Sequence, residues 1–326
     1  MTNQAEAKPT RSMRRAILRL AAASLAISAC TFLQYAWAPS SPSPKQSWTD
    51  SGSLRGRSLS VADDLSHQRC RIPREFRLTN HPVSPTYLAS YDRGGEVVSS
   101  LAQALTGIAT TTQVNYAPRR TERSVLFETH YPLDGALKQT HDENFRGAIL
   151  LLRNPITAIL ASFNAFDARQ YRYSADVVRA PVDKWIRYRD SAQFAAQVKQ
   201  YETFVIYWMN KYRGNREDLL LIPYEGLTGG KGATFTKQIG NFLDKSEGIN
   251  ILDPDSIPCI WEKFVHSPST ITSFQERADD RPLTEDHLFV VSRMLQSLEA
   301  TFGQDKQFST IMNSYINSLH GYSVVA

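Results

Sequence analysis

The chain has 326 residues, 42% apolar and 10% aromatic, with 21% charged and a formal net charge of +5. That apolar content fills a sizeable core, and the length allows one large domain with appendages or two domains. The basic excess is too small and too evenly spread for a nucleic-acid binder; it suits a phosphate- or sulfate-bearing ligand or an acidic glycan.

Lys8, Arg11, Arg14 and Arg15 precede an apolar stretch over residues 16–38, interrupted by Arg19 and Gln34. About 20 apolar residues span a bilayer, so the spacing predicts a transmembrane signal anchor. Arg19 sits where it can snorkel, and Tyr35 and Trp37 where an interfacial belt lies. The positive flank puts residues 1–15 in the cytosol and the remainder in the lumen. A cleaved signal peptide is the rival reading, on the small-x-small triplet Ala36-Trp37-Ala38, although Pro39 opposes cleavage there. Residues 39–69 are rich in Ser, Pro, Gly and Arg without apolar periodicity, and read as a disordered stem. A folded domain is expected over 70–326. Cys30 falls in the anchor, leaving Cys70 and Cys259 either as one bridge in an oxidising lumen or as two buried thiols.

Within that domain, 86–90 reads as a buried strand ending in the turn Asp92-Arg93-Gly94-Gly95. A helix follows over 97–106, with Val98, Leu101 and Leu105 on one face. Residues 124–127 and 148–152 read as two more strands, the latter apolar on both faces as a central parallel strand is. Pro155 suits the first turn of a helix to about residue 166. A long helix is expected over 192–211, a fourth strand over 219–222, and closing helices over 284–302 and 308–319. Thr284, ahead of Asp286 and His287, marks a helix start. Strands alternating with helices predict an α/β domain with a parallel sheet.

In such a sheet, ligands bind past the carboxyl ends of the strands. Three segments fall there. The Asp92-Arg93-Gly94-Gly95-Glu96-Val97 turn enters a helix, as a phosphate cradle does, but lacks the Gly-Lys-Ser/Thr ending of a nucleotide kinase. Taken alone, a Gly-Gly turn is as well explained by structure. His130, past the second strand, has the chemistry of a general base, and equally of a satisfied polar residue. Arg153, at the third strand's end, either grips a phosphate with its planar fork or pairs with a core carboxylate. Tyr171, Tyr173, Trp185 and Tyr188 line a sugar cleft or pack a helical surface. No metal-ligand pattern is evident.

In order and spacing these segments resemble the PAPS-dependent sulfotransferases, most closely the WSC-domain-containing and related Golgi carbohydrate sulfotransferases, without the WSC domain. Residues 90–98 resemble the family's Ser-Tyr-Pro-Arg-Ser-Gly-Asn/Thr-Thr-Trp loop, 128–132 its Lys-Thr-His-x-Pro segment, and 151–164 its Arg-Asn-Pro segment with a downstream serine. Leu105-Thr106-Gly107-Ile108 is similar to the family's Thr-Gly-Ile, and Tyr224-Glu225-Gly226-Leu227 to its Tyr-Glu-Asp-Leu. The resemblance implies a P-loop-like sulfotransferase fold, a central parallel sheet flanked by helices, behind the transmembrane helix and stem of a single-pass type II Golgi membrane protein. It implies transfer of a sulfuryl group from PAPS (3′-phosphoadenosine 5′-phosphosulfate) to a hydroxyl of a carbohydrate or glycoconjugate acceptor. His130 is then the general base, and Arg93, Gly94, Gly95, Glu96, Val97, Arg153 and Ser162 bind the donor.

The departures from the family pattern are specific. Asp92 replaces a proline, Gly94 a serine, and Glu96 and Val97 the Asn/Thr-Thr pair, so the loop loses hydroxyl donors. Glu96 adds negative charge near the phosphosulfate position, worth several kcal/mol at contact, unless it turns outward onto Arg93 or Arg153. Glu128 stands where the family has lysine. Ser162 lies one position beyond the expected serine, and only Arg277 or Arg281 answers to the basic 3′-phosphate loop. These departures motivate an alternative: a catalytically inactive relative serving as a lumenal glycan- or protein-binding module.

Overall fold

The structure is a computed structural model that describes residues 70–91, 94–113, 117–132, 145–170, 180–265 and 281–322. The expected anchor over 16–38 and stem over 39–69 lie outside these residues. Among the described residues no helix is long and apolar enough to cross a membrane.

In chain order the elements are β1 (Thr86–Ser90), α1 (Gly95–Thr106), β2 (Thr111–Thr112), α2 (Pro118–Thr121), β3 (Leu126–Thr129) and β4 (Gly147–Leu152). There follow α3 (Pro155–Gln170), α4 (Val182–Arg189), α5 (Ala192–Lys211), β5 (Leu219–Pro223), α6 (Tyr224–Thr228) and α7 (Gly232–Leu243). The last are α8 (Ile257–Phe264), α9 (Glu285–Phe302) and α10 (Lys306–Ser318). The strands form one sheet in the order β2-β3-β1-β4-β5, and every pairing is parallel.

β1 and β4 are buried at every position, because their side chains alternate between two cores. Leu88, Ile149 and Leu151 point to one face, against Leu101 and Leu105 of α1, Ile239 of α7 and Ile260 of α8. Tyr87, Ala89, Leu150 and Leu152 point to the other, against Ile159 of α3, Tyr201 and Trp208 of α5, Leu295 of α9 and Met312 of α10. Helices on both faces are what an unbroken apolar strand requires. Leu150 has no exposed surface, so Leu150→Ala is expected to cost about 2–5 kcal/mol. The check is a lower urea midpoint at unchanged slope; a loss under about 1 kcal/mol would contradict its central placement.

Strand order positions the site. From β1 the chain moves to one edge of the sheet and returns through β3; from β4 it continues to β5 on the other side. The connections of neighbouring β1 and β4 therefore diverge, and a crevice opens past their carboxyl ends.

β3 starts two residues later than expected. Ser124 and Val125 still belong to the preceding turn, where the Ser124 hydroxyl donates to Arg120 O and Val125 N donates to Ala109 O. Pairing begins at Thr86 with Leu126 and carries Glu128 into the strand, opposite Leu88. α4, α7 and α8 were not anticipated as helices. In α7, Gly232 and Gly240 dilute local helix propensity, and burial of Ile239 and Leu243 against the sheet outweighs it. The aromatic residues ahead of α5 divide: Trp185 is fully buried and packs on Phe163, Tyr188 and Phe194, which is the packed-helix alternative. Tyr171 and Tyr173 lie outside the described residues. A disulfide joins Cys70 to Cys259 across 189 positions. At the start of α9, Thr284 N donates to His287 Nδ1 at 3.3 Å, and His287 Nε2 donates to Arg189 O at 2.8 Å.

Candidate functional site

The crevice is lined first by the turn between β1 and α1. Gly94 has φ 133°, a conformation that disfavours any side chain. A Cβ there would lie 3.4 Å from Cε2 of Tyr224. Among the described residues no side chain caps the first turn of α1, so its leading N–H groups are left for another acceptor. At Gly95 a Cβ would fall 2.6 Å from the Glu128 carboxyl carbon and 2.9 Å from Ser90 Oγ. The absence of a side chain at Gly95 is therefore what makes room for Glu128.

Strand alternation explains why Glu128 arrives there. Phe127 packs into the α5 side of the sheet and Leu126 into the α1 side, so Glu128, one residue on from Phe127, returns to the α1 side. Ser90 Oγ lies 3.4 Å from Glu128 Oε1. The Ser99 hydroxyl, buried and with no other hydrogen-bond partner among the described residues, also faces the carboxyl. Burial pushes the Glu128 carboxyl above the usual carboxylate range; the His130 charge opposes that, Glu96 reinforces it, and Ser90 and Ser99 oppose it weakly. Ser90 and Ser99 thus supply hydroxyls beside the turn that the turn's own residues lack.

His130 follows β3 and packs against the end of β1. Its Nδ1 lies 2.8 Å from Ser90 O and 3.4 Å from Ser90 Oγ. A carbonyl oxygen only accepts, so Nδ1 carries the proton and Nε2 keeps its lone pair in the neutral ring. That is the tautomer a general base needs, held by a backbone contact.

Arg153 leaves β4 buried, at 7% exposure. Its guanidinium carbon stands 4.6 Å from the centre of the Tyr224 ring, and Nε donates to Thr157 Oγ1 at 3.3 Å. Among the described residues it forms no ion pair. The nearby carboxylate of Glu225 is held by other groups instead. Glu225 Oε1 accepts from Asn154 N at 2.8 Å, and Oε2 accepts from the Tyr315 hydroxyl at 2.9 Å. Burial, then the Glu225 charge, pushes the Tyr315 phenol well up, with the Arg153 charge opposing; Tyr315 therefore stays protonated and donates. Tyr201 OH donates to Arg153 O at 2.7 Å, anchoring the backbone that carries the guanidinium.

Of the residues expected to bind a donor, Gly94, Gly95 and Arg153 meet around the Tyr224 ring and the end of β1, and His130 joins them through Ser90. Arg93 lies outside the described residues. Glu96 is exposed in the first turn of α1 and forms no ion pair with Arg153, while Val97 contributes backbone there and buries its side chain in the core. Ser162 lies on α3 about 10 Å along the helix from Pro155, at about 1.5 Å per residue, and no hydrogen bond joins it to the cluster. Arg281 is buried and its guanidinium donates to Ala180 O, tying down the segment before α4; Arg277 lies outside the described residues. The sequence singled out Tyr224 and Glu225 only as part of a strand-end motif, without a role at the site. The available signal was an aromatic and an acid directly at a strand end.

No protein-family profile and no curated protein matches this sequence. Among solved structures the chain is similar to the crystal structure of mouse sulfotransferase SULT7A1 complexed with PAP, at 12% identity and a TM-score of 0.45, over 71% of this chain and 89% of that one. That degree of likeness assigns neither a residue role nor an activity to this chain.

Proposed function

We propose that the crevice binds a PAPS-type nucleotide and that the chain transfers its sulfuryl group to a hydroxyl of a carbohydrate or glycoconjugate. The observation that carries this reading is convergence: a glycine turn whose N–H groups no described side chain caps, a buried guanidinium without an anionic partner among the described residues and an imidazole in the base tautomer surround one strand-end crevice. The first two are a cradle for two anionic ends of one ligand, and the third takes a proton. PAPS supplies an activated sulfur. His130 Nε2 accepts the acceptor's hydroxyl proton as that oxygen bonds to sulfur, and the bond from sulfur to the phosphosulfate bridging oxygen breaks, releasing PAP. The order of the sequence motifs supports the same reading, and the motifs alone suggest the carbohydrate acceptor.

The second reading, a non-catalytic lumenal glycan- or protein-binding module, is favoured by one observation: Glu128 brings a carboxyl against Gly95, where an incoming anion would meet α1. Sulfuryl transfer therefore requires that carboxyl to be neutral or displaced. Placement of the domain in the Golgi lumen behind a 16–38 anchor is also proposed, and the Cys70–Cys259 bridge fits an oxidising compartment.

Calorimetric titration of the domain with PAP tests the first reading. Saturable binding is expected, and no heat up to millimolar PAP would end it. Arg153→Ala is expected to weaken PAP by about ten- to a hundredfold, the worth of a charge-assisted hydrogen bond, with the unfolding temperature as the control for folding. Equal affinity would remove Arg153 from the site.

A further inference from the structure

Glu128 stands where a donor anion would meet the first turn of α1, and nothing in the sulfuryl-transfer reaction calls for a carboxylate there. Its carboxyl fills the space left by Gly95 and approaches Ser90 Oγ to 3.4 Å. A carboxylate and an oxyanion donor compete for the same N–H and O–H groups, and their like charges exclude each other from one cradle. Protonation changes both terms, because a carboxylic acid loses the charge and gains an O–H with which to donate to an oxyanion.

Resting on the donor-binding reading above, we propose that Glu128 is the residue that decides donor binding: ionised it occupies the cradle and excludes the donor, and neutral it admits the donor and donates a hydrogen bond to it. The groups facing it come from three elements. β1 presents Ser90, α1 presents Ser99 and the charge of Glu96, and the end of β3 presents His130. Burial and Glu96 favour the neutral form, whereas a protonated His130 favours the ionised one. The buried Ser99 hydroxyl, which faces the Glu128 carboxyl and has no other hydrogen-bond partner among the described residues, is a further donor beside the same space.

The test is PAP affinity by calorimetry for the wild type and for Glu128→Gln, from about pH 5.5 to about pH 8.5, a range centred near the histidine region and above ordinary carboxylates. Apparent affinity scales with the competent fraction. The wild type is therefore expected to lose affinity relative to Glu128→Gln by about tenfold per pH unit once Glu128 ionises. Comparing the two proteins cancels titration of the ligand itself. Glu96→Gln, at an exposed position, is expected to move the wild-type fall in affinity to lower pH, since Glu96 holds the Glu128 proton on. A wild-type to Glu128→Gln affinity ratio that stays constant with pH would overturn the gating role while leaving the donor crevice intact. Failure of both proteins to bind PAP at every pH would overturn the gating role and the donor reading together.

Discussion

Replacing His130 by alanine is expected to lower sulfuryl transfer by about a hundred- to ten-thousandfold, the usual contribution of a positioned general base, while PAP affinity stays within about twofold. The split follows from the geometry. His130 is bonded to Ser90 through Nδ1 and presents Nε2 as its basic atom, whereas the proposed donor cradle is built from Gly94, Gly95 and Arg153. Removing the imidazole takes away the proton acceptor and leaves the cradle's backbone in place. Single-turnover transfer and PAP calorimetry on the same preparation read the two effects separately. A variant that transfers at the wild-type rate would refute the base assignment; one that loses PAP binding in parallel would make His130 part of the cradle.

Removing the Cys70–Cys259 bridge is the second large effect. The bond closes a loop of 189 positions and ties the start of the described chain to α8, which packs beneath α1 on the site's side of the sheet. On chain-entropy grounds a loop that long confers about 5 kcal/mol, near the top of the range for single disulfides. For a domain of this size that corresponds to a fall of about 10–20 °C in unfolding temperature. Thermal unfolding with and without reductant, and of Cys259→Ser, measures it. A change of about 1 °C or less would mean that the two sulfurs contribute nothing by being joined.

These expectations draw on unequal amounts of the sequence. β1 and α5 run over the residues their patterns predicted, 86–90 and 192–211, and β4 and α3 differ from expectation only at their ends. Each is a strong local signal, either a short apolar run buried on both sides or a long amphipathic repeat. The helices α7 and α8 had no comparable signal; α7 is held by burial against the sheet and α8 by packing on α1 and α7. The site divides in the same way. Gly94, Gly95, His130 and Arg153 were legible because strand ends in a parallel sheet are places to look for ligand groups, whatever the strand order.

The placement of Glu128 was not legible. As a substitution it reads as a missing cation; in the fold it is a carboxyl lodged against Gly95, and the difference comes from β3 running two residues further than the apolar run suggested, which carries Glu128 into the ladder opposite Leu88. A shift of two keeps the same faces inward but decides which residue lies level with the end of β1. Likewise, Tyr224 beneath Arg153, and Glu225 held by Asn154 and Tyr315, join residues about 70 to 90 positions apart. The sequence alone determined the alternation of strands and helices, the apolar faces and the chemical types available at the strand ends, because those depend on periodicity within a few residues. Only the tertiary structure decided strand order, register and the partners of each charge, because those are set by pairing between segments whose spacing along the chain carries no record of their contact.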